Sequence, residues 1–182
     1  MPKPVIVGAA LLVGGLTAAA CGSAVSHSAT PAASAASPPG SVQVKNVTGV
    51  GPVLTDPTGR TLYLLSTDHQ AMATCLASPV CANAWPPLEL PSGASSAVAG
   101  RGVQSSLLST IPAPGGHLQV TYNRWPLYTF VGDSGPGQDK GQDLHAFGGV
   151  WSAVTGAGAA ATVVAAPAPS SSGSSGGYSG GY

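Results

Sequence analysis

Charged side chains are scarce in this sequence. Six basic and six acidic residues, 7% of 182, leave a formal net charge of zero. That excludes nucleic-acid binding through a basic surface, which needs clustered Lys and Arg to displace counterions. It excludes an acidic solvating tail as well. Large apolar residues are few. The hydrophobic fraction is 43%, but much of it is alanine, and Leu, Ile, Val and Phe together number 37. About a fifth of a chain is near the limit for building a core, so one small domain is expected. Aromatics amount to 5%, with two Phe. No apolar run reaches the roughly 20 residues of a comfortable transmembrane helix. What is plentiful is glycine, 26 residues, and proline, 17. Apart from Lys3, every charge lies between Lys45 and Asp143, and that interval marks the folded domain.

Met1 to Ala20 reads as a signal peptide. Lys3 gives a positive start, Val5 to Leu16 an apolar run, and Ala18-Ala19-Ala20 the small residues a signal peptidase accepts. Cys21 follows directly. This resembles the bacterial lipoprotein signal, in which that cysteine is acylated, palmitate included, and becomes the new N-terminus. The expected address is the outer face of the bacterial cell membrane, with membrane lipid as the first partner. Three cysteines is an odd number for an exported chain. With Cys21 acylated, Cys75 and Cys81 remain and are expected to form a disulfide outside the cytoplasm. Their short loop stabilises the fold by about 2–3 kcal/mol on the chain-entropy estimate. Residues 21–41 are Ala, Ser, Pro and Thr with no charge, a disordered tether by composition. Residues 156–182 form a Gly/Ser/Ala tail of the same kind.

The domain at 42–155 is expected to be all-β, with short strands and frequent turns. Val53-Leu54-Thr55, the turn Asp56-Pro57-Thr58-Gly59 and the run Arg60–Ser66 make a hairpin. Leu118–Tyr122, Asn123-Arg124 and Trp125–Val131 make another, and Gly149–Thr155 closes the domain. Pro79–Trp85 has room for one helical turn. The two halves repeat one another. Leu62-Tyr63 corresponds to Leu127-Tyr128 and Asp68 to Asp133 at one constant offset, and Trp85 corresponds to Trp151. The repeats occupy about 50–90 and 115–155. Two copies are too few for a solenoid, so they should close into one pseudo-symmetric sandwich or partly open barrel.

The spacing of Tyr128, Phe130 and Asp133 forms a Tyr-x-aromatic-x-x-Asp motif. With Thr74-Cys75 to Cys81-Ala82, Trp85-Pro86-Pro87-Leu88 and Gly148-Gly149-Val150-Trp151, it resembles the bacterial lipoprotein family known as the secreted repeat of unknown function. The first copy keeps Tyr63 and Asp68 but has Leu65 in the aromatic place. The resemblance implies export, lipidation and a two-repeat domain, and no particular reaction.

In a strand, Thr61, Tyr63 and Leu65 share one face, as do Pro126, Tyr128 and Phe130. Trp85 and Trp151 are candidates to pack on those faces. As core, each hydroxyl and indole N–H would be bonded internally and the two Asp would cap their loops. As a site, the same rings would line a groove for a planar or sugar ligand. Other constellations are weaker. Asp133, Asp139 and Asp143 offer oxygens to a hard cation, but no EF-hand pattern accompanies them. His69, Met72 and Cys75 have copper-type donors but lack a second nearby His and a free thiolate. Ser134, Asp143 and His145 could compose a triad, without a nucleophile elbow. No cofactor or metal is therefore assigned, and no catalytic residue. The leading reading is a non-catalytic lipoprotein that binds an envelope glycan, a small planar ligand or a partner through an aromatic β-surface. The alternatives are an electron-transfer partner for a quinone-like or haem-bearing carrier, and an envelope hydrolase. Intact mass and detergent partition should find a cleaved chain beginning at an acylated Cys21. An unmodified, water-soluble product starting elsewhere would exclude the anchor.

Overall fold

The computed structural model describes residues 38–68 and 70–163. The signal peptide, Cys21, most of the tether, His69 and the tail from residue 164 lie outside the described residues. Strands dominate the rest. β1 (Ser41–Val47), β2 (Gly51–Thr55), β3 (Tyr63–Leu65), β4 (Val98–Ala99), β5 (Leu108–Pro112), β6 (Leu118–Tyr122), β7 (Trp125–Pro126), β8 (Leu144–Ala146) and β9 (Gly149–Ala153) follow in order. The one α-helix among the described residues, α1 (Pro79–Ala84), sits where a single turn is expected. Pro79 opens it, and the Ser78 side chain accepts from Cys81 N–H. The Cys75–Cys81 disulfide ties α1 to the preceding 3-10 turn, Thr74–Ala77.

The strands form three small sheets, in the orders β2-β1-β4, β3-β9-β8 and β5-β6-β7. Both expected hairpins are present. Asp56 closes the first: its Oδ1 accepts from Thr58 and Arg60 N–H, and Gly59 N–H reaches Asp56 O at 3.0 Å. In the second, Asn123 (φ 47) and Arg124 (φ 69) both take the left-handed conformation. That is the mirror-image turn whose twist matches the flanking strands. Strands β1 and β5 are additional. Each pairs antiparallel with the next strand, so each repeat begins one strand earlier than the turn signals suggest. Backbone pairing also continues past residue 155. Val154 bridges Ala160, and Ala161 N–H donates to Ala153 O at 2.7 Å.

Single bridges join the sheets, and their pattern is two-fold. Leu62 N–H donates to Leu54 O, and Leu127 N–H to Val120 O. Val154 N–H donates to Leu62 O, and Leu88 N–H to Leu127 O. At the centre Tyr63 and Tyr128 exchange both backbone hydrogen bonds, at 2.9 and 3.0 Å. To within a single position, these pairs correspond at the offset that relates Tyr63 to Tyr128. The strand layer is covered on both faces. Leu62, Leu64, Leu127 and Val154 belong to an aliphatic cluster, and the alternate residues Tyr63, Leu65, Tyr128 and Ala153 to an aromatic one. A strand covered on both sides reads as an unbroken apolar run, and Leu62-Tyr63-Leu64-Leu65 is one.

Candidate functional site

The aromatic cluster gathers the repeated residues in one place. Trp85 leaves the end of α1 and Trp151 sits in β9; their rings stack 3.8 Å apart and 2° from parallel. Tyr63 meets the edge of Trp85 at 5.4 Å, and Tyr128 that of Trp151 at 5.2 Å. Edge-to-face contacts suit the ring quadrupoles and add about 0.5–1.5 kcal/mol each beyond area burial. Tyr63, Trp85, Tyr128 and Trp151 are essentially inaccessible to solvent. Their faces are turned on one another rather than on a groove, which corrects the expectation of an aromatic β-surface. The exception is Phe130. It stacks on the outer side of Trp85 at 4.2 Å and remains half-buried. Leu65, its counterpart in the first repeat, is buried opposite Trp151.

The tyrosine hydroxyls cross between repeats. Tyr63 O–H donates to Asp133 Oδ2 at 2.7 Å, and Tyr128 O–H donates to Asp68 Oδ2 at 2.5 Å. The other oxygen of each carboxylate caps its own loop, as expected. Asp68 Oδ1 accepts from the N–H and hydroxyl of Thr74, and Asp133 Oδ1 from Lys140 N–H at 3.0 Å. Each aspartate thus holds its own loop with one oxygen and the opposite repeat with the other. Arg60 adds a third crossing, donating to the carbonyls of Phe130 and Asp133. Gly141 is a member of the site that no sequence signal marks. Its N–H reaches Tyr63 Oη at 3.3 Å, and a Cβ there would lie 2.8 Å from the Tyr63 and Trp85 rings. Trp151 also departs from expectation: among the described residues its Nε1 is buried without a hydrogen-bond partner.

The other candidates are dispersed. Asp133 is buried and already bonded, whereas Asp143 is exposed and accepts from the Gln142 amide. Among the described residues no three His, Cys, Asp or Glu side chains are placed to hold a metal. The disulfide removes Cys75 from any copper set, and Met72 is 65% exposed. Ser134 bonds Gln138, and His145 is exposed in β8.

Residues 109–155 match a protein family described as a secreted repeat of unknown function. The matched segment is the second repeat, from β5 through Thr155. No curated protein and no solved structure matches the chain.

The crossed hydrogen bonds give two expectations. Tyr128→Phe keeps the ring and leaves Asp68 Oδ2 unpaired in the interior, so urea unfolding should show a loss of about 1–3 kcal/mol. The loss should shrink sharply when Asp68→Ala is already present, because no buried polar group is then left unpaired. The second concerns alkali. Burial, then the hydrogen bond and charge of the facing aspartate, push both phenols far above their ordinary range. The raised groups stay protonated in the fold while the unfolded chain ionises near its ordinary pKa of about 10. Their contribution to stability is therefore complete below about pH 10 and lost above it. Two retained protons predict a slope that steepens from about −1.4 kcal/mol per pH unit at pH 10 toward about −2.7 above pH 11, measured by denaturant melts from about pH 9 to 11.5. A flat profile would place the hydroxyls in solvent.

Proposed function

We propose that the chain is an exported, non-catalytic module, anchored through acylated Cys21 to the outer face of a bacterial membrane, that binds an envelope ligand or partner. One observation carries the non-catalytic part of this reading. The side chains best suited to chemistry, Asp68, Asp133, Tyr63 and Tyr128, are buried and committed to one another. Among the described residues, aromatic rings that keep part of their surface are Phe130, half-buried on Trp85, Trp125, half-buried in β7, and Phe147, 43% exposed at the β8–β9 turn. Val131, next to Phe130 in the chain, is 55% exposed. Part-exposed rings of this kind suit a sugar ring or a small planar ligand. A second reading, an electron-transfer partner for a quinone-like or haem-bearing carrier, is favoured by the stack Phe130–Trp85–Trp151, which runs from the surface into the core.

The test titrates the full-length protein with cell-wall glycan fragments and, separately, with a soluble quinone, reading tryptophan emission. Saturable binding of glycan without turnover, weakened several-fold by Phe130→Ala, is the expected result. Saturable quinone binding that quenches tryptophan, with quinone reduced faster when a reduced haem protein is supplied as electron donor than when that donor and the quinone are mixed alone, would transfer the assignment to the second reading. Turnover of an ester or peptide that disappears in His145→Ala would overturn both in favour of an envelope hydrolase.

A further inference from the structure

Tyr122 shows the ordinary way to bury a phenol. It lies in the aliphatic cluster, and its O–H donates to a neutral carbonyl, that of Gly156, at 2.7 Å. Tyr63 and Tyr128 differ from it in two respects. Each gives its proton to a carboxylate, Asp133 at 2.7 Å or Asp68 at 2.5 Å. Each ring also abuts a tryptophan, Trp85 or Trp151. The remaining bonds to the two carboxylates come from donors: Lys140 N–H on Asp133, and the N–H and hydroxyl of Thr74 on Asp68. Both aspartates are therefore acceptors throughout, buried bases each within one hydrogen bond of a phenolic proton.

The tryptophans are packed in an unusual way. Their rings are parallel at 3.8 Å, with Phe130 stacked on the outer side of Trp85 at 4.2 Å. This overlap sets the negative faces of two indoles against each other, which neutral rings avoid in favour of edge contacts. A positive charge on either ring reverses the sign, because a cation is drawn to an aromatic face. Removing one electron from the stack therefore strengthens it. Among the described residues Trp151 Nε1 has no hydrogen-bond partner. An oxidised Trp151 thus has no neighbour to take its proton, and the electron deficit passes to Tyr128, which has one.

We infer that the cluster is a one-electron redox site that gives an electron to a small oxidising radical, such as the carbonate or nitrogen dioxide radical. The electron leaves through Trp85 and Phe130. Tyr63 or Tyr128 ends as a neutral tyrosyl radical, with its proton on Asp133 or Asp68. In this step the phenolic O–H bond breaks and an O–H bond forms at the aspartate Oδ2. The electron goes to the oxidising radical, which departs as the anion. The Tyr–Asp pair passes from one negative charge to none. Desolvation penalises the charged form, so burial favours the oxidised pair. Burial, then the bond to the facing aspartate, holds both phenols far above their ordinary range. The phenol is therefore still protonated when the electron is drawn, and the proton moves as the electron leaves. The site goes beyond both readings above. Electron loss by tunnelling needs neither a groove nor a bound ligand, and the mutual commitment that removes these side chains from acid–base catalysis is what it requires.

The test is pulse radiolysis of the full-length protein with the azide radical, in a Tyr178→Phe/Tyr182→Phe background that removes the two tyrosines outside the domain. Transient absorption should show a tryptophan radical first, then tyrosyl absorption growing as it decays. Asp68→Asn/Asp133→Asn keeps an acceptor but supplies no base, so the tryptophan radical should persist and the tyrosyl signal be lost. Tyr63→Phe/Tyr128→Phe should lose it too, whereas Tyr122→Phe should retain it. Because the proton stays inside, tyrosyl growth should hold one rate from about pH 6 to 9, a range in which a phenol remains protonated. It should slow severalfold in protein refolded in D2O. These last two measurements need no change in the cluster and hold the test open should a variant fail to fold. A tryptophan radical without tyrosyl growth, equal growth in the Asn protein, or a rate that climbs with pH would overturn the proposal. So would a tyrosyl signal that survives Tyr63→Phe/Tyr128→Phe and vanishes with Tyr122→Phe.

Discussion

The structure depends on a crossed pair of hydrogen bonds. Each tyrosine is seated by backbone pairing at the pseudo-two-fold centre and gives its hydroxyl to the aspartate of the other repeat. A buried carboxylate must be hydrogen-bonded, or desolvation outweighs any benefit of placing it there. Asp68 and Asp133 meet that demand with two kinds of donor, one local and one distant. Seating the phenols therefore orders the loops at 68–74 and 133–141, and ordering the loops seats the phenols. The stacked tryptophans close the same space from the other side. They bring no polar group to the centre beyond their indole nitrogens, so the carboxylate–phenol pairs set the register and the rings fill it.

Much of this was legible in the sequence. Asp-Pro-Thr-Gly and Asn-Arg marked the two hairpin turns, and the Leu-Tyr, Asp and Trp spacings marked the duplication. Period-two alternation placed Tyr63 with Leu65 and Tyr128 with Phe130. It could not say which aspartate each hydroxyl would meet, because alternation fixes a face and not a partner across a symmetry axis. The strands β1 and β5 were hidden for local reasons. β1 follows an Ala/Ser/Pro stretch and contains Lys45-Asn46, whereas β5 carries Ser109, Thr110 and Pro112 among its apolar residues. Gly141 was hidden because nothing local distinguishes it among 26 glycines. Its constraint is two rings from distant segments.

The pseudo-symmetry also explains what is not repeated. Positions that touch the axis are kept in both copies, as with the Tyr, Asp and Trp triplets. Positions away from it have diverged. Leu65 is sealed under β9 while Phe130 stays half-open. A duplicated unit keeps identity where the halves touch and is free to specialise at its periphery.

The contacts that close the core join residues far apart in the chain. The crossed tyrosine–aspartate bonds span 70 and 60 positions, and the Gly141–Tyr63 bond spans 78. Neither repeat holds the partner of its own central tyrosine. The segment that matches the family, residues 109–155, thus lacks the aspartate to which its own Tyr128 donates. Such a topology has high contact order and folds slowly. For a chain threaded outward from its amino end, β1, β2 and β4 have their partners within the first repeat, but apolar β3 must wait for β9, the last strand of the second.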